Sequence, residues 1–117
     1  MINPVRGEIY RANLEPARGT EIKGIARPIL IIQNNDITKY VRSVIAIPFT
    51  KNIKRKEWPF TVLVEKNEDN GLEEDSVLLC HQIRVLDKSR LKEKMGEISE
   101  DKLMEIEEAL LFTLGIA

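Results

Sequence analysis

The sequence contains very few of the residues that build disulfide frameworks and metal sites. It has one cysteine, Cys80, and one histidine, His81, among 117 residues. A single cysteine excludes an internal disulfide, and these two residues cannot supply the usual zinc ligand sets. No apolar run approaches the roughly 20 residues of a membrane span, and the N-terminus lacks the apolar segment of a signal peptide. We therefore expect a cytoplasmic protein without a structural metal or a membrane contact.

The composition is that of a folded globular protein. Hydrophobic residues make up 43% of the chain and charged residues 32%, and a chain of this length buries roughly two-thirds of its unfolded surface. We expect one domain spanning residues 1–117. The net charge is −1, but residues 1–56 carry +7 and residues 57–117 carry −8. This division suggests a basic surface for a polyanion, unless the fold intermixes the two halves and the field cancels.

The apolar pattern predicts a small, strongly bent sheet or barrel with a helix packed on it. Strands are predicted at 6–14, 27–34, 43–50, 60–66 and 76–87. The runs at 27–34 and 43–50 are continuously apolar, which indicates burial on both faces, and the strand at 76–87 is long enough to bend midway. The segments between them are predicted as a loop over 15–26, a helical turn within 35–42, a basic loop over 51–59 and an acidic turn over 67–75.

The C-terminal third is predicted to end in an amphipathic helix. Residues 88–98 are predicted to form only a short turn. Ser99 then caps the helix. One face of the helix is apolar and lies opposite a row of acids. The apolar residues of this face are Leu103, Ile106, Leu110 and Leu114.

Two residues could hold a phosphate, although each has an ordinary structural explanation. Arg27 precedes Pro28, which restricts Arg27 to extended backbone geometry, and its planar guanidinium suits phosphate oxygens. Thr50 ends the third predicted strand and could donate its hydroxyl. An arginine at a strand start and a threonine at a strand end are, taken alone, more often structural.

Other candidates lie in the basic loop and near the single histidine. The basic side chains that could neutralise nucleic-acid phosphates are Lys51, Lys54, Arg55 and Lys56. Trp58 could stack on a base, whereas Phe60 alternates with valines and is interpreted as core. His81 could carry a proton near neutral pH, but its apolar alternation favours a packed or hydrogen-bonded histidine. Cys80 is most simply a small core residue.

Three stretches of the chain resemble the MazF/PemK/Kid toxins of bacterial toxin–antitoxin pairs. They read RGEIYRANLEPARGTEIKGIARPILIIQNN, AIPFTKN and SVLLCHQIRVLDKSRL, and the likeness extends from Arg6 into the C-terminal helix. The resemblance implies an α+β, mainly β fold: an SH3-like barrel of about five to seven strands with a C-terminal helix. It further implies a homodimer, a cognate antitoxin partner, and an endoribonuclease that cleaves single-stranded RNA without metal or other cofactor.

The resemblance also implies roles for particular residues. The conserved arginine of the family falls on Arg27 and its threonine or serine after the third strand falls on Thr50. Three positions depart from some members: His81 replaces a carboxylate, Leu79 an arginine, and Thr20 a histidine. We therefore hypothesise that His81, with Arg27 nearby, handles proton transfer, and that Thr50 orients the phosphate.

The loops over 15–26 and 51–59 are expected to frame the RNA groove and to seat the disordered tail of the antitoxin. The candidate RNA-binding residues are Thr20, Glu21, Lys51, Lys54, Arg55, Lys56, Trp58 and Gln82. Two alternatives remain open at this point. The chain could be a non-catalytic barrel that grips a protein target, as gyrase-poisoning toxins of the same fold do, or an inactive relative that binds only the antitoxin.

Overall fold

The computed structural model describes residues 3–117, apart from the side chain of Arg55. The seven strands of this range are β1 (Glu8–Ala12), β2 (Arg27–Ile31), β3 (Ser43–Thr50), β4 (Thr61–Val64), β5 (Ser76–Leu79), β6 (Arg84–Asp87) and β7 (Leu91–Glu97). The two α-helices are α1 (Asn35–Thr38) and α2 (Glu100–Thr113). Short 3₁₀ helices lie at Ile53–Glu57, Cys80–Gln82 and Lys88–Arg90.

Strand β3 is the centre of the sheet. The order is β4-β5-β3-β2-β1-β7, with β6 paired to β3 in addition, and all these pairs are antiparallel. The first half of β3, up to Ala46, pairs with β6, and its last two residues pair with β5. Pro48 lies between these two ladders. On that side of β3 no neighbouring strand among the described residues is paired, so the backbone N–H that proline lacks costs no ladder hydrogen bond there. The predicted bend in 76–87 is confirmed as the 3₁₀ helix that separates β5 from β6.

Both faces of the central strands are buried, as their continuous apolar runs predicted. Ile29 and Ile31 of β2 pack in one cluster with Val44 of β3. Leu30 of β2 packs in the other cluster, which contains Ile106 of α2. Alternate residues of a strand point to opposite faces, so one strand serves two apolar clusters.

The fold class predicted from the sequence, mainly β with a C-terminal helix, is confirmed. Ser99 caps α2 as predicted, its Oγ accepting a hydrogen bond from the Lys102 backbone N–H at 3.2 Å. Ile106 and Ala109 of this helix enter the core. In the part of the chain that the structure describes, β4 and β7 are the two ends of the strand order and do not pair with each other, so the strands form a seven-stranded sheet and not a closed barrel.

Two local predictions were wrong. The segment 88–98 contains β7 and is not only a turn; three consecutive charged residues, Lys92, Glu93 and Lys94, are exposed there and hide the alternation. Such charges are common on edge strands, where they discourage pairing with another chain. Leu114 lies beyond the end of α2 and is 55% exposed, so it does not extend the apolar face. Within residues 3–117, the structure contains no helix with the length and hydropathy of a membrane span.

Candidate active site

The start of β2 and the end of β3 lie side by side because the strands are antiparallel neighbours. Their ladder pairs Ile29 with Pro48. Continuing this register by two residues places Arg27 opposite Thr50. Side chains of directly opposed residues project from the same face of a sheet. The pairing of β2 with β3 therefore brings near each other the two residues that, according to the sequence analysis, could hold a phosphate.

The loop before β2 holds the Arg27 side chain. Its Nε donates a hydrogen bond to the carbonyl oxygen of Lys23 at 3.1 Å. Gly24 has a φ of +135°, and a Cβ there would lie 3.6 Å from Arg27 Nε, so the loop backbone passes close to the guanidinium. Pro28 stiffens the other side of Arg27 through its fixed φ. The guanidinium is thus held at its inner nitrogen, and its terminal nitrogens are placed to meet a ligand.

Thr50 offers a fixed hydroxyl at the end of β3. Its backbone pairs with Val77 of β5. Its Oγ1 accepts a hydrogen bond from the backbone N–H of Asn52 at 3.2 Å. A hydroxyl that accepts one such bond retains its own proton to donate. Thr50 can therefore donate to a phosphate oxygen from a position that the following turn fixes.

Arg27 and Thr50 both line one cavity of about 320 Å³, a volume in the range of small-molecule sites. Lys51, which was predicted to bind RNA, lines it as well. The wall also includes charged residues that the sequence analysis did not select, namely Arg11, Glu73 and Glu74. These belong to β1 and to the acidic turn, and no local motif marked them.

Carboxylates compensate two of the three cations in this cavity. Arg11 Nη2 lies 2.6 Å from Glu73 Oε1, and Lys51 Nζ lies 3.2 Å from Glu74 Oε2. Arg27 forms no ion pair with any side chain that the structure describes. An anion that enters the cavity therefore meets Arg27 as a cation that these acids have not neutralised.

A buried asparagine organises the acidic turn that carries the two cavity carboxylates. Asn70 is 2% exposed. Its Oδ1 accepts hydrogen bonds from the backbone N–H groups of Asn67 and Leu72 at 3.1 and 3.0 Å, and its Nδ2 donates to the carbonyl oxygen of Glu65 at 2.9 Å. Every polar atom of this side chain is thereby satisfied, which removes the cost of burying it.

Two glycines let this turn approach β7 closely. A Cβ on Gly71, whose φ is +67°, would lie 2.1 Å from the carbonyl oxygen of Met95. A Cβ on Gly96 would lie 2.2 Å from the carbonyl oxygen of Asp69. Real Cβ atoms do not approach backbone this closely. The contact fixes the turn against the edge strand and so sets the position of the acids that follow it.

His81 does not lie in the Arg27–Thr50 cavity. It belongs to the 3₁₀ helix Cys80–Gln82 and lines a second depression of about 390 Å³ together with Glu21, Gln82 and Arg84. Its side chain is exposed, because the strand turns into the 3₁₀ helix one residue earlier and the predicted alternation stops. Within this chain, the candidate proton carrier His81 therefore lies in a different depression from the candidate phosphate-binding residues Arg27 and Thr50.

Hydrogen bonds tie the loop before β2 to this second depression. Gln82 Nε2 donates to the carbonyl oxygen of Thr20 at 3.0 Å, and its Oε1 accepts from the backbone N–H of Ile22 at 3.3 Å. Arg84 Nη1 donates to the carbonyl oxygen of Ile22 at 3.1 Å. Burial lowers the pKa of Arg84, partly offset by the negative charge of Glu21. Thr20, Glu21 and Gln82, all predicted to bind RNA, thus lie together, with Gln82 also bracing the loop.

An aromatic row runs from the basic loop to His81. The rings of Trp58 and Phe60 stack with centroids 5.2 Å apart, and Phe60 meets His81 edge to face at 4.8 Å. Phe60, predicted as core, is half-buried and precedes β4. Trp58 is 45% exposed and presents a ring face suited to stacking.

The remaining basic candidates lie on the 3₁₀ helix Ile53–Glu57. Lys54 and Lys56 are exposed there, and Asn52 caps this helix by accepting a hydrogen bond from the Lys54 backbone N–H at 3.3 Å. The side chain of Arg55 lies outside the described part of the structure. The helix directly follows Thr50 and Lys51, so the basic segment begins at the cavity and leads away from it.

Cys80 is part of the core, as predicted. It is fully buried, and burial raises the pKa of its thiol to about 11. A thiol in this state is a poor nucleophile. Among the described residues, no three His, Cys, Asp or Glu side chains are grouped so that they could hold a metal ion.

Comparison with known proteins gives a consistent family match. Residues 5–114 match the family model described as PemK-like, MazF-like toxin of type II toxin–antitoxin system. The chain is 44% identical over 111 residues to the endoribonuclease MazF of Staphylococcus epidermidis, covering 95% of this chain and 91% of the relative.

Solved structures give the same result for the fold. The chain is similar to MazF from Deinococcus radiodurans with a TM-score of 0.82 and 28% identity, covering 98% of this chain and 99% of that one. It is also similar to an endoribonuclease from a mycobacterial species in complex with its cognate antitoxin. That match has a TM-score of 0.79 and 27% identity, and it covers 97% of each chain.

Proposed function

Because the chain belongs to the PemK-like, MazF-like toxin family of type II toxin–antitoxin systems, we propose that it is a toxin that cleaves single-stranded RNA at specific sequences. The observation that carries this proposal is that Arg27 of β2 and Thr50 of the neighbouring strand β3 line one cavity. Its action is cytoplasmic, on the RNA whose loss stops translation and growth.

The proposed reaction uses the ribose 2′-hydroxyl of the RNA as the nucleophile. The 2′-oxygen forms a bond to the adjacent phosphorus, and the bond from phosphorus to the 5′-oxygen breaks. The products are a 2′,3′-cyclic phosphate and a 5′-hydroxyl end. Negative charge builds on the non-bridging oxygens during this step. Arg27 supplies a fixed positive charge for it and Thr50 a hydroxyl donor, the arrangement by which enzymes stabilise such charge.

Two protons must move in this reaction, one from the 2′-hydroxyl and one to the 5′-oxygen. Our hypothesis assigns proton transfer to His81, because imidazole is the side chain whose ordinary pKa lies closest to neutral pH. His81 lies in the second depression, so this role requires the RNA to extend between the two sites. The assignment of Arg27 and Thr50 does not depend on it.

We place the RNA along both depressions, framed by the loop over 15–26 and the basic segment over 51–59. Lys51, Lys54, Arg55 and Lys56 neutralise phosphates along this path. Trp58 stacks on a base. At the second depression the RNA is contacted by Thr20, Glu21 and Gln82. The cognate antitoxin inhibits by laying an extended acidic and apolar tail over the same surface. The toxin acts as a homodimer.

The proposal is tested by incubating the purified protein with a long single-stranded RNA in EDTA and mapping the new ends. We expect cuts at a recurrent sequence, each leaving a 5′-hydroxyl. Arg27→Ala and Thr50→Val should each lower the cleavage rate by about 10²–10³-fold, the usual cost of one such donor. Arg42→Ala, at an exposed arginine outside the cavity, is the matched control and should cleave normally.

The alternatives make different predictions in the same assay. Intact RNA together with tight antitoxin binding would favour an inactive antitoxin-binding relative, and intact RNA with a captured protein target would favour a non-catalytic toxin. A saturating antitoxin peptide that leaves cleavage unchanged would contradict the shared surface for RNA and antitoxin. Normal cleavage by Arg27→Ala would overturn the proposed mechanism.

A further inference from the structure

Glu74 faces the cavity with a single ion-pair partner among the described side chains. Its Oε2 lies 3.2 Å from Lys51 Nζ. Both side chains are well exposed, Lys51 by 58% and Glu74 by 61%. Exposed ion pairs of this kind change an equilibrium constant by only about 1.4- to 5-fold. The pair is therefore easily opened by a competing anion.

The neighbouring carboxylate is held differently. Glu73 Oε1 lies 2.6 Å from Arg11 Nη2, while Glu73 Oε2 lies 4.0 Å from Lys51 Nζ. Arg11 is fixed in turn by Glu93, whose Oε1 lies 2.9 Å from Arg11 Nε. Glu73 thus belongs to a charge cluster with Arg11, Glu93 and, at the longer distance of 4.0 Å, Lys51. Glu74 is the acid that can move away without breaking that cluster.

We propose that, in the RNA-free protein, the Glu74 carboxylate occupies the position on the Lys51 ammonium that an RNA phosphate takes when substrate binds. The proposal rests on the proposed function, because it assumes that RNA enters the cavity lined by Arg27 and Lys51. A phosphodiester held at Arg27 brings the adjacent phosphates of the same strand toward the cavity rim. Lys51, next in sequence to Thr50, is the cation there, and Glu74 already holds it.

Glu74 is then a positioning residue with two opposing effects. It keeps the Lys51 side chain at the cavity instead of extended into solvent, and it competes with RNA for the same ammonium. It also places a negative charge beside the incoming phosphates. The net result is an RNA affinity lower than the basic segment would otherwise give, and a stronger requirement that the strand engage Arg27 to bind at all.

The test measures binding separately from cleavage. The probe is a single-stranded RNA in which every ribose carries a 2′-O-methyl group, so the proposed nucleophile is blocked. Dissociation constants are measured for the wild-type protein, Glu74→Gln, Lys51→Met and the double variant. Glu68→Gln is the matched control, because Glu68 is an exposed acid of the same turn that does not line the cavity.

We expect Glu74→Gln to bind the probe about two- to fivefold more tightly than wild type, and more tightly than Glu68→Gln. In the Lys51→Met background the extra gain should disappear, leaving only the general charge effect seen with Glu68→Gln. Equal gains in both backgrounds would show that Glu74 merely repels RNA and would overturn the proposal. So would a gain no larger than that of the control.

Failure of the proposed function gives a different pattern. If the wild-type protein does not cleave unmodified RNA but Glu74→Gln still tightens binding through Lys51, the binding inference stands and the catalytic proposal fails. If the wild-type protein binds no single-stranded RNA, both fail. The midpoint of thermal unfolding is measured for the four variants. An unchanged midpoint verifies that these exposed substitutions leave the fold intact.

Discussion

Replacing Gly96 by alanine should loosen the acidic turn that carries the two cavity carboxylates. The added Cβ would lie 2.2 Å from the carbonyl oxygen of Asp69, about 1.2 Å inside ordinary contact at 3.4 Å. The same oxygen accepts a hydrogen bond from the Glu97 backbone N–H at 2.8 Å, so the turn cannot retreat without weakening that bond.

The expected cost combines two effects. Overpacking a tight contact costs about 1–3 kcal/mol, and the weakened hydrogen bond about 1 kcal/mol. The free energy of unfolding should therefore fall by about 2–4 kcal/mol. For a domain of this size one kcal/mol corresponds to about 4 °C, so the midpoint of thermal unfolding should drop by roughly 8–16 °C.

Two other glycines allow the cost of a steric contact to be distinguished from the cost of a left-handed backbone conformation. Gly19 has a φ of +56° with no atom within 4 Å of an added Cβ, so Gly19→Ala should cost only the left-handed penalty of about 1–2 kcal/mol. Gly71 combines a φ of +67° with a Cβ position 2.1 Å from the Met95 carbonyl oxygen, so Gly71→Ala should be the most destabilising. The measurement is chemical and thermal unfolding followed by circular dichroism. A Gly96→Ala protein that unfolds like wild type would refute the close packing of the turn on β7.

Two further predictions concern single titratable groups. His81→Gln should lower the cleavage rate at least about tenfold at constant RNA affinity, since general acid–base groups contribute about 10²–10⁴-fold; full activity would remove His81 from the mechanism, and weaker binding at unchanged rate would make it an RNA contact. Burial alone would raise the pKa of Glu8, but hydrogen bonds from Lys94 and the Val5 backbone, with the Lys94 charge, hold it below its ordinary value. The stability this provides is present at neutral pH and is lost as the pH falls through the lowered folded-state pKa. Glu8→Gln should therefore destabilise the protein in urea near neutral pH and progressively less as the pH falls below the ordinary carboxylate range, unlike the control Glu105→Gln; an equal loss at every pH would contradict the sign.

Much of the sheet could be predicted because its central strands are continuously apolar. Such runs at β2 and β3 are consistent with strands buried on both faces, and the structure places them between the two apolar clusters. Strand β7 was missed because Lys92, Glu93 and Lys94 face solvent in succession. Among the described residues this bulged edge strand pairs with β1 alone, and it has no need of strict alternation.

The site was only partly predictable for a related reason. Arg27 and Thr50 lie at the ends of two strongly apolar strands, a pattern that taken alone is more often structural, and the resemblance to the toxin family is what selected them. Glu73 and Glu74 enter the cavity through a contact between the turn and β7 that no local pattern encodes. His81 packs edge to face on Phe60, but its exposure was not predicted, because the alternation of β5 continues in the sequence after the backbone has turned into a 3₁₀ helix.

The charge division along the chain acquires a physical meaning in the cavity. The basic half contributes Arg11, Arg27 and Lys51, and the acidic half contributes Glu73 and Glu74. Had the acids paired with all three cations, the field in the cavity would cancel and an anion would gain nothing by entering. The pairs leave out Arg27, whose inner nitrogen is held by a backbone carbonyl that carries no net charge. The uncompensated charge thus lies in the cavity that Thr50 also lines, an arrangement that suits the phosphodiester of the proposed reaction.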